Sequence, residues 1–387
     1  MKRIALLIET SRSYGRDLLR GIKRFSVEHG GWSLFVEVRD LESAPPAWLQ
    51  NWDGDGIITR SGSAAIASAV RRVGVPAVEL RSQTRSNDLP FVGVDNAAVS
   101  ETVYQHLRDC GLQHFGVFAL HTEAFFVERQ DSFRQLVQKD RFCLHEFVQA
   151  GVTERPSRWE RQQQRLMEWL QDLPKPIGIL ACTDQLGCWL LDACRRAGLR
   201  VPDEVAVVGV EDDETLTEMS SPPLSSVRLD GEGAGYRAAE ILQQRIRRPN
   251  TRPKTVLLPP LKLSRRRSTE LVATEDPHLA TAIRLLRDQA CSGIRVDDVL
   301  AQVPLSRTAL ERGCRRVTGR SPNQEIVHAK IRHACELLEA TEMTLDEVAM
   351  RCGFSTTPYF AKVFRTLLDV TPGRFRSERS RRLEHGR

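Results

Sequence analysis

No two cysteines in this 387-residue chain are spaced Cys-x-x-Cys, although there are nine of them. An odd, scattered set excludes a disulfide framework and points to free, partly buried thiols in a reducing compartment. Long apolar runs are also missing. Ile4–Ile8 is only five residues long and Glu9 ends it, which is too short for the core of a signal peptide. Nothing approaches the ~18 apolar residues of a membrane span. The expected location is the cytoplasm, with no membrane partner. Catalytic patterns are absent too: there is no Ser-His-Asp arrangement, metal-ligand spacing or phosphate loop. His106, His114, His121 and His145 stand apart from one another in the sequence. Gly231-x-Gly233-x-Gly235 lacks the G-x-G-x-x-G spacing of a dinucleotide loop and reads as a turn before a helix over Tyr236–Ile246. An enzyme is not expected, nor is a cofactor or a metal. Charge imbalance is missing from most of the chain as well. Residues 1–276 hold 37 basic and 37 acidic groups, so the whole net charge of +6 lies after them, in 19 Lys and Arg against 13 Asp and Glu. A basic segment joined to a neutral one suits a polyanion partner. A solvated tail accounts for it equally well, because Arg374, Arg376, Arg379, Arg381, Arg382 and Arg387 crowd the end.

What is present is an ordinary folded composition, 41% hydrophobic and 27% charged, in a chain long enough for two domains or three. Through residue 270, short apolar runs alternate with amphipathic stretches. Strands are expected at Ile4–Ile8, Ser33–Val38, Gly56–Ile58, Ala77–Leu80, Phe91–Val94, Phe115–Ala119, Ile177–Cys182, Val205–Val210 and Thr255–Leu258. Helices fall between them, as at Arg16–Glu28, Ser100–Cys110, Trp159–Leu170 and Gly187–Ala197. This alternation predicts α/β architecture with parallel sheets covered on both faces. Ligands of such folds bind beyond the C-terminal ends of strands. Polar groups stand there: Ser11, Ser13, Tyr14 and Arg16 after the first run, Asp95 and Asn96, Thr183 and Asp184, and Glu211 to Asp213. Carboxylates in these loops could accept paired hydrogen bonds from ligand hydroxyls. Capping the next helix is the competing role for Asp95 and Asp184.

Several of these stretches resemble the ligand-binding domain of LacI-family repressors. They are Val201-Pro-Asp-Glu-Val-Ala-Val-Val-Gly-Val-Glu-Asp, Leu224-Ser-Ser-Val, Ala238-Ala-Glu-Ile-Leu, Asp95-Asn96 and Arg129-x-x-x-Phe133. That domain is similar to periplasmic sugar-binding proteins, in which two α/β lobes close on a sugar. The resemblance implies ligand contacts from Asp95, Arg129, Asp184 and Glu211, with Glu211 one methylene longer than the family's usual Asp. Tyr14, Arg16 and Arg60 are further candidates for telling sugars apart, although helix-start or surface roles suit them as well. The LacI family carries its DNA-binding unit ahead of this domain, whereas this sequence opens on the first strand.

The segment from about Pro277 reads as almost wholly helical and contains a repeat. Val296-Asp-Asp-Val-Leu matches Leu345-Asp-Glu-Val-Ala at an offset of 49. Leu310, Cys314 and Pro322 match Phe360, Phe364 and Pro372 at an offset of 50. Each copy reads as helix, tight turn and second helix. In the second copy Thr344 and Glu347 form a capping box, Gly353 makes the turn, Ser355 is the expected cap and Pro358 falls in the first turn. The outward faces are basic, with Arg307, Thr308, Glu311, Arg312, Arg315 and Arg316 in one copy. Thr357, Pro358, Ala361, Lys362 and Arg365 form the other. A helix over Asn323–Ala340 joins them and spans roughly 27 Å, near the ~34 Å of one DNA turn.

The stretch Cys352-Gly-Phe-Ser, Phe360, Phe364-Arg, Val370-Thr-Pro and Phe375-Arg resembles the signature of AraC-type DNA-binding domains. The resemblance implies base contacts from Thr308, Glu311 and Arg312, and from Thr357, Pro358, Ala361 and Lys362, on double-stranded DNA. Arg and Lys can reach guanine, Glu311 can accept from cytosine, and Pro358 and Ala361 can only pack on thymine methyls. A LacI-like sensor (1–268), a linker (269–276), an AraC-type reader (277–380) and a basic tail (381–387) make a layout that resembles xylose operon regulators. It implies a homodimeric, sugar-responsive transcription activator that works with RNA polymerase, with D-xylose as the first candidate effector. A repressor answering another small molecule remains an alternative, because the residues do not set the sign of regulation. A periplasmic sugar carrier is disfavoured by the DNA-reading segment.

Overall fold

The computed structural model describes residues 1–377 except 41–42, 62, 81–87, 121, 123, 150–158, 250–251, 272–273, 275 and 342. The expected tail, 381–387, lies outside the described residues. The chain forms two compact units, Met1–Leu271 and Val272–Arg387.

The first unit is two α/β lobes. The chain begins with β1 (Lys2–Leu7), α1 (Ser13–His29), β2 (Trp32–Val36), β3 (Gly56–Thr59), α2 (Ala64–Val73), β4 (Ala77–Glu79) and β5 (Phe91–Val94). It then crosses to the other lobe for α3 (Asn96–Asp109), β6 (His114–Leu120), α4 (Ala124–Lys139), β7 (Leu144–Gln149) and α5 (Trp159–Asp172). That lobe continues with β8 (Ile177–Ala181), α6 (Asp184–Arg196), β9 (Val205–Glu211), α7 (Glu214–Met219) and β10 (Ser225–Arg228). A second crossing supplies α8 (Gly231–Arg247) and β11 (Thr255–Leu258) to the first lobe, and a third returns β12 (Lys262–Ser264). The sheets run β11-β5-β4-β3-β1-β2 and β12-β10-β9-β8-β6-β7. All pairings are parallel except β10 with β12. The central strands are buried on both faces, and therefore read as unbroken apolar runs.

Three strands depart from the sequence expectation. β7 and β12 are sheet edges, and β10 (Ser-Ser-Val-Arg) has no apolar run to announce it. Its Ser225 and Ser226 are buried by hydrogen bonding instead, to the Arg266 carbonyl (2.9 Å) and Asp184 (2.5 Å). The glycine triplet also departs from expectation, since Gly231 to Gly235 lie inside α8 rather than in a turn before it. A Cβ at Gly235 would collide with the Leu18 carbonyl of α1, and one at Gly21 with the Glu232 carbonyl of α8. The glycines let two helix backbones touch, and the helix accepts their propensity cost for that packing.

The second unit holds α9 (Pro277–Asp288), α10 (Val296–Leu300), α11 (Arg307–Thr318), α12 (Pro322–Ala340), α13 (Leu345–Arg351) and α14 (Thr357–Leu368). It has two small cores. One gathers Leu279, Ile283, Val299 and Leu310 from α9, α10 and α11. The other gathers Val348, Phe354, Phe360 and Phe364 around α13 and α14. The bridging helix α12 contributes Ile326 and Ala329 to the first, and Ile331, Ala334 and Leu338 to the second. Thr356, rather than Ser355, caps α14 by accepting from the Tyr359 amide (3.3 Å). Starting the helix one residue later keeps Pro358 in the first turn, where its missing N–H costs nothing.

Candidate functional site

Between the lobes lies a cavity of about 60 Å³, lined from both sides. The first lobe supplies Tyr14 at the start of α1, Arg60 after β3, Leu80 after β4, and Phe91, Gly93 and Val94 on β5. Opposite are Asn96, then Ala124, Phe125, Glu128 and Arg129 on α4, and Glu211 at the end of β9. Apart from Phe91 and Gly93 within β5, these positions lie at or just beyond the C-terminal ends of strands, as parallel sheets favour. Two phenylalanines give flat apolar walls, and the remaining side chains converge as donors and acceptors.

Arg129 organises the second-lobe wall. Its side chain is 3% exposed, and its Nε donates to Asn96 Oδ1 at 2.9 Å. Its Nη1 donates to the Cys182 carbonyl, and the guanidinium stands 4.8 Å from the centre of the Phe125 ring. Asn96 Nδ2 donates in turn to Glu128 (2.6 Å). Burial pulls the Arg129 pKa down, while Glu211, Tyr14 and Asp184 among its neighbours oppose that shift. Glu211 is reached from the other lobe by Arg12 at 3.6 Å. On the first-lobe wall, Arg60 pairs with Glu9 and stands 5.0 Å from the centre of the Tyr14 ring. Burial raises the Tyr14 hydroxyl well above its ordinary pKa, so it stays a neutral donor and acceptor.

Glu211 and the residue after it have positive φ, 118° and 56°, a conformation that L-residues rarely adopt. Asp212 points away from the cavity. Its carboxylate accepts from Arg266 Nη1 (2.8 Å) and Ser264 Oγ (2.7 Å). Beyond Arg266, Ser268 and Thr269 are sewn into the lobe. Ser268 Oγ donates to the Val207 carbonyl (2.6 Å), and Thr269 Oγ1 lies 2.8 Å from Ser225 Oγ and 2.9 Å from His106 Nε2. Thr269, the first residue of the expected linker, is therefore buried in the first unit.

Of the residues the sequence nominates, Tyr14, Arg129, Glu211 and Arg60 line the cavity, whereas Asp95, Asp184 and Arg16 do not. Asp95 caps α3 through the Ala98 amide (3.0 Å). Arg16 is exposed and donates to the Thr10 carbonyl. Asp184 follows the true cap, Thr183, and is wholly buried behind β9 and β10. It accepts from Ser226 Oγ and from the Asp213 amide (2.8 Å). Phe125 and Glu128 escaped notice, although Phe125 is one helical turn before Arg129 and so shares its face.

Burial pushes the Asp184 carboxyl up to about 8, despite the opposing hydrogen bonds. The folded chain then holds a proton that the unfolded chain releases near pH 4. This stabilisation is complete below the unfolded pKa and is lost as pH rises through the folded one. The first unit should lose melting temperature between about pH 4 and pH 8, and Asp184→Asn should flatten that dependence. A wild-type melting temperature that climbs with pH would mean the carboxyl is already ionised.

In the second unit, α11 and α14 present matching outward faces. Arg307, Thr308, Arg312, Pro358, Lys362 and Arg365 are exposed, and Glu311, Thr357 and Ala361 are partly so. The duplication extends to a tether invisible in the sequence match. Arg307, first in α11, pairs with Asp297 of α10, and Thr357, first in α14, donates to Asp346 of α13 at 2.5 Å. Each tether fixes the second helix of a pair against the first.

The chain resembles known proteins along its whole length. Family models match at residues 3–97 (XylR N-terminal domain), 104–269 (periplasmic binding protein-like domain) and 299–378 (helix-turn-helix domain). The xylose operon regulatory protein of Escherichia coli K12 is 30% identical over 386 residues, covering 98% of this chain and 97% of that one. The chain belongs to the xylose operon regulator family. The Haemophilus influenzae member is 29% identical over 97% of this chain and 98% of its own. A solved structure of the xylose-binding transcription activator xylR superposes with a TM-score of 0.79 at 30% identity, covering 97% of this chain and 98% of that one. The two-lobed unit and the helical unit are thus the sensor and the DNA reader of a transcription regulator, and its family relatives are regulators rather than enzymes. No helix among the described residues is long and apolar enough to cross a membrane.

Proposed function

We propose that the interlobe cavity binds a pentose, D-xylose first, and that binding switches on transcription of sugar-utilisation genes. The observation that carries this reading is the cavity wall: Phe91 and Phe125 flank a ring of fixed polar groups from Tyr14, Arg60, Asn96, Glu128, Arg129 and Glu211. Apolar faces for the sugar's C–H groups and paired donors and acceptors for its hydroxyls suit a small polyol. The xylose-binding relative points to the same ligand. The test is thermal melting against pentoses, hexoses and sugar acids. A ligand at 100 times its Kd adds about 2.7 kcal/mol. No shift with any of them would remove the sugar reading.

Ligand contact at Glu211 is relayed through the strained Glu211–Asp212 pair to Arg266, at the exit of the sensor. Sugar binding would shift the population of sensor conformations through this path. In Arg266→Ala the sugar should still raise the melting temperature while transcription no longer responds. A retained response would exclude the relay. The working form is a cytoplasmic homodimer that recruits RNA polymerase. Its readers contact operator DNA through Arg307, Thr308, Glu311 and Arg312 of α11, and through Thr357, Pro358, Ala361, Lys362 and Arg365 of α14. Arg312→Ala should cost about 1–3 kcal/mol, roughly 5- to 150-fold in operator affinity, and relax the preference at one base pair. An equal loss on every sequence would place Arg312 on phosphate instead.

A further inference from the structure

A second site lies in the reader. Cys291, in the short turn after α9, His333 on α12, and Cys352, at the end of α13, bring two sulfurs and an imidazole nitrogen within 4.8 Å of one another. The three residues are 42 and 19 positions apart in sequence, so no ligand spacing announces them. We propose that Cys291, His333 and Cys352 bind a thiophilic divalent cation of the zinc type, which clamps the two halves of the DNA reader together.

The donor set supports this assignment. Two thiolates and a neutral imidazole make the Cys₂His group that zinc favours, with a fourth position left for another donor or water. Glu336 stands one helical turn beyond His333 and lies 3.1 Å from its Nδ1. A carboxylate on Nδ1 fixes the tautomer and turns Nε2 to the metal, the support that ligating histidines ordinarily have. Cys352 is buried and the other two are half-buried, so the site is reachable from solvent yet held by packing. The backbone closes around it as well: Gly353 adopts φ of +69°, and a Cβ there would press on the Cys291 carbonyl at 2.6 Å. Lys330 Nζ donates to the Gly353 carbonyl (2.6 Å) and holds the same turn to α12.

The position gives the site its consequence. Cys291 comes one residue after Ala290 of the first reader core but packs against the second, to which Cys352 belongs, and His333 sits on the helix that serves both. One ion there would fix the angle between α11 and α14, and hence the spacing of the two DNA contacts.

The experiment uses the full-length, reduced protein and Co²⁺ as a spectroscopic stand-in, followed by Zn²⁺. One equivalent of Co²⁺ should give thiolate-to-metal charge transfer and the intense visible bands of four-coordinate cobalt, and Zn²⁺ should displace both. His333→Gln and Cys291→Ser should lose these bands. Cys143→Ser, which removes an exposed sensor thiol, should keep them. Because Cys352 is buried in the second core, the His333 variant carries the test if Cys352→Ser fails to fold. Zn²⁺ should also raise the melting temperature of the reader in wild type and not in His333→Gln. Absence of the charge-transfer band in folded protein would overturn the proposal. So would bands that survive in both variants, or a pair that yields only a Cys291–Cys352 disulfide and takes up no metal.

Discussion

Arg129→Ala should abolish the sugar-dependent rise in melting temperature and the transcriptional response, while DNA binding without sugar persists. The guanidinium is almost wholly buried and makes several contacts at once. It donates to Asn96 and to the Cys182 carbonyl, packs over Phe125, and its charge interacts with Glu211. Truncation frees Asn96 to turn from Glu128, leaves a carbonyl without its donor, and leaves Glu211 with less compensation. Leaving a buried hydrogen-bonding group without its partner typically costs about 1–3 kcal/mol. If that loss falls on the ligand complex, sugar affinity drops on the order of five- to 150-fold. Arg129→Lys should fall between, because an ammonium keeps the charge but cannot hold Asn96 and the carbonyl together. Titration of D-xylose followed by melting separates the three proteins. An unchanged shift in Arg129→Ala would exclude this wall from the binding site.

The parts legible in sequence are those where one physical demand dominates a stretch of chain. Central strands such as Ile177–Ala181 and Val205–Glu211 are buried on both faces and announce themselves as apolar runs. The reader's duplication was visible because each copy needs the same cap, turn and core positions. Strand β10 was hidden because hydrogen bonds to Asp184, Arg266 and Ser268 do the work of apolar burial. The helix start at Gly231 was hidden because those glycines answer to α1, a distant element, and local propensity argued the other way. In the cavity, position after a strand points to loops that line it but not to which side chain faces inward. Asp95 and Asp184 stand at such ends, yet one caps its helix and the other is buried beneath the wall, while Asn96, next to Asp95, lines the cavity. The Cys291–His333–Cys352 cluster had no sequence signal at all, since three helical segments must pack before the ligands meet.

Phe360→Ala should unfold the second half of the reader and leave the sensor's sugar-dependent melting intact. Phe360 is fully buried at the centre of an aromatic chain, 5.2 Å from the Phe354 ring and 5.6 Å from Phe364, which reaches Phe375 at 5.5 Å. Truncating such a side chain costs about 3–5 kcal/mol through lost burial and the cavity left behind. A unit of this size, some 45 residues, has only about 2–7 kcal/mol in hand at ordinary stability per residue. The loss therefore consumes most or all of what holds α13 and α14 in place. The first core does not include this residue, so α11 should stay folded and the protein should bind DNA as a single helix-turn-helix, with lower affinity and a shallower salt dependence. Lys362→Ala, two residues along the same helix and exposed, makes the contrast. It should weaken operator binding while stability moves by no more than about 0.5 kcal/mol. Calorimetry with and without D-xylose reads both outcomes. If Phe360→Ala also removes the sensor's sugar-shifted transition, the two units do not fold independently. If both variants lose only DNA affinity, α14 keeps its place without one of its two buried phenylalanines, and the second core is not what holds it.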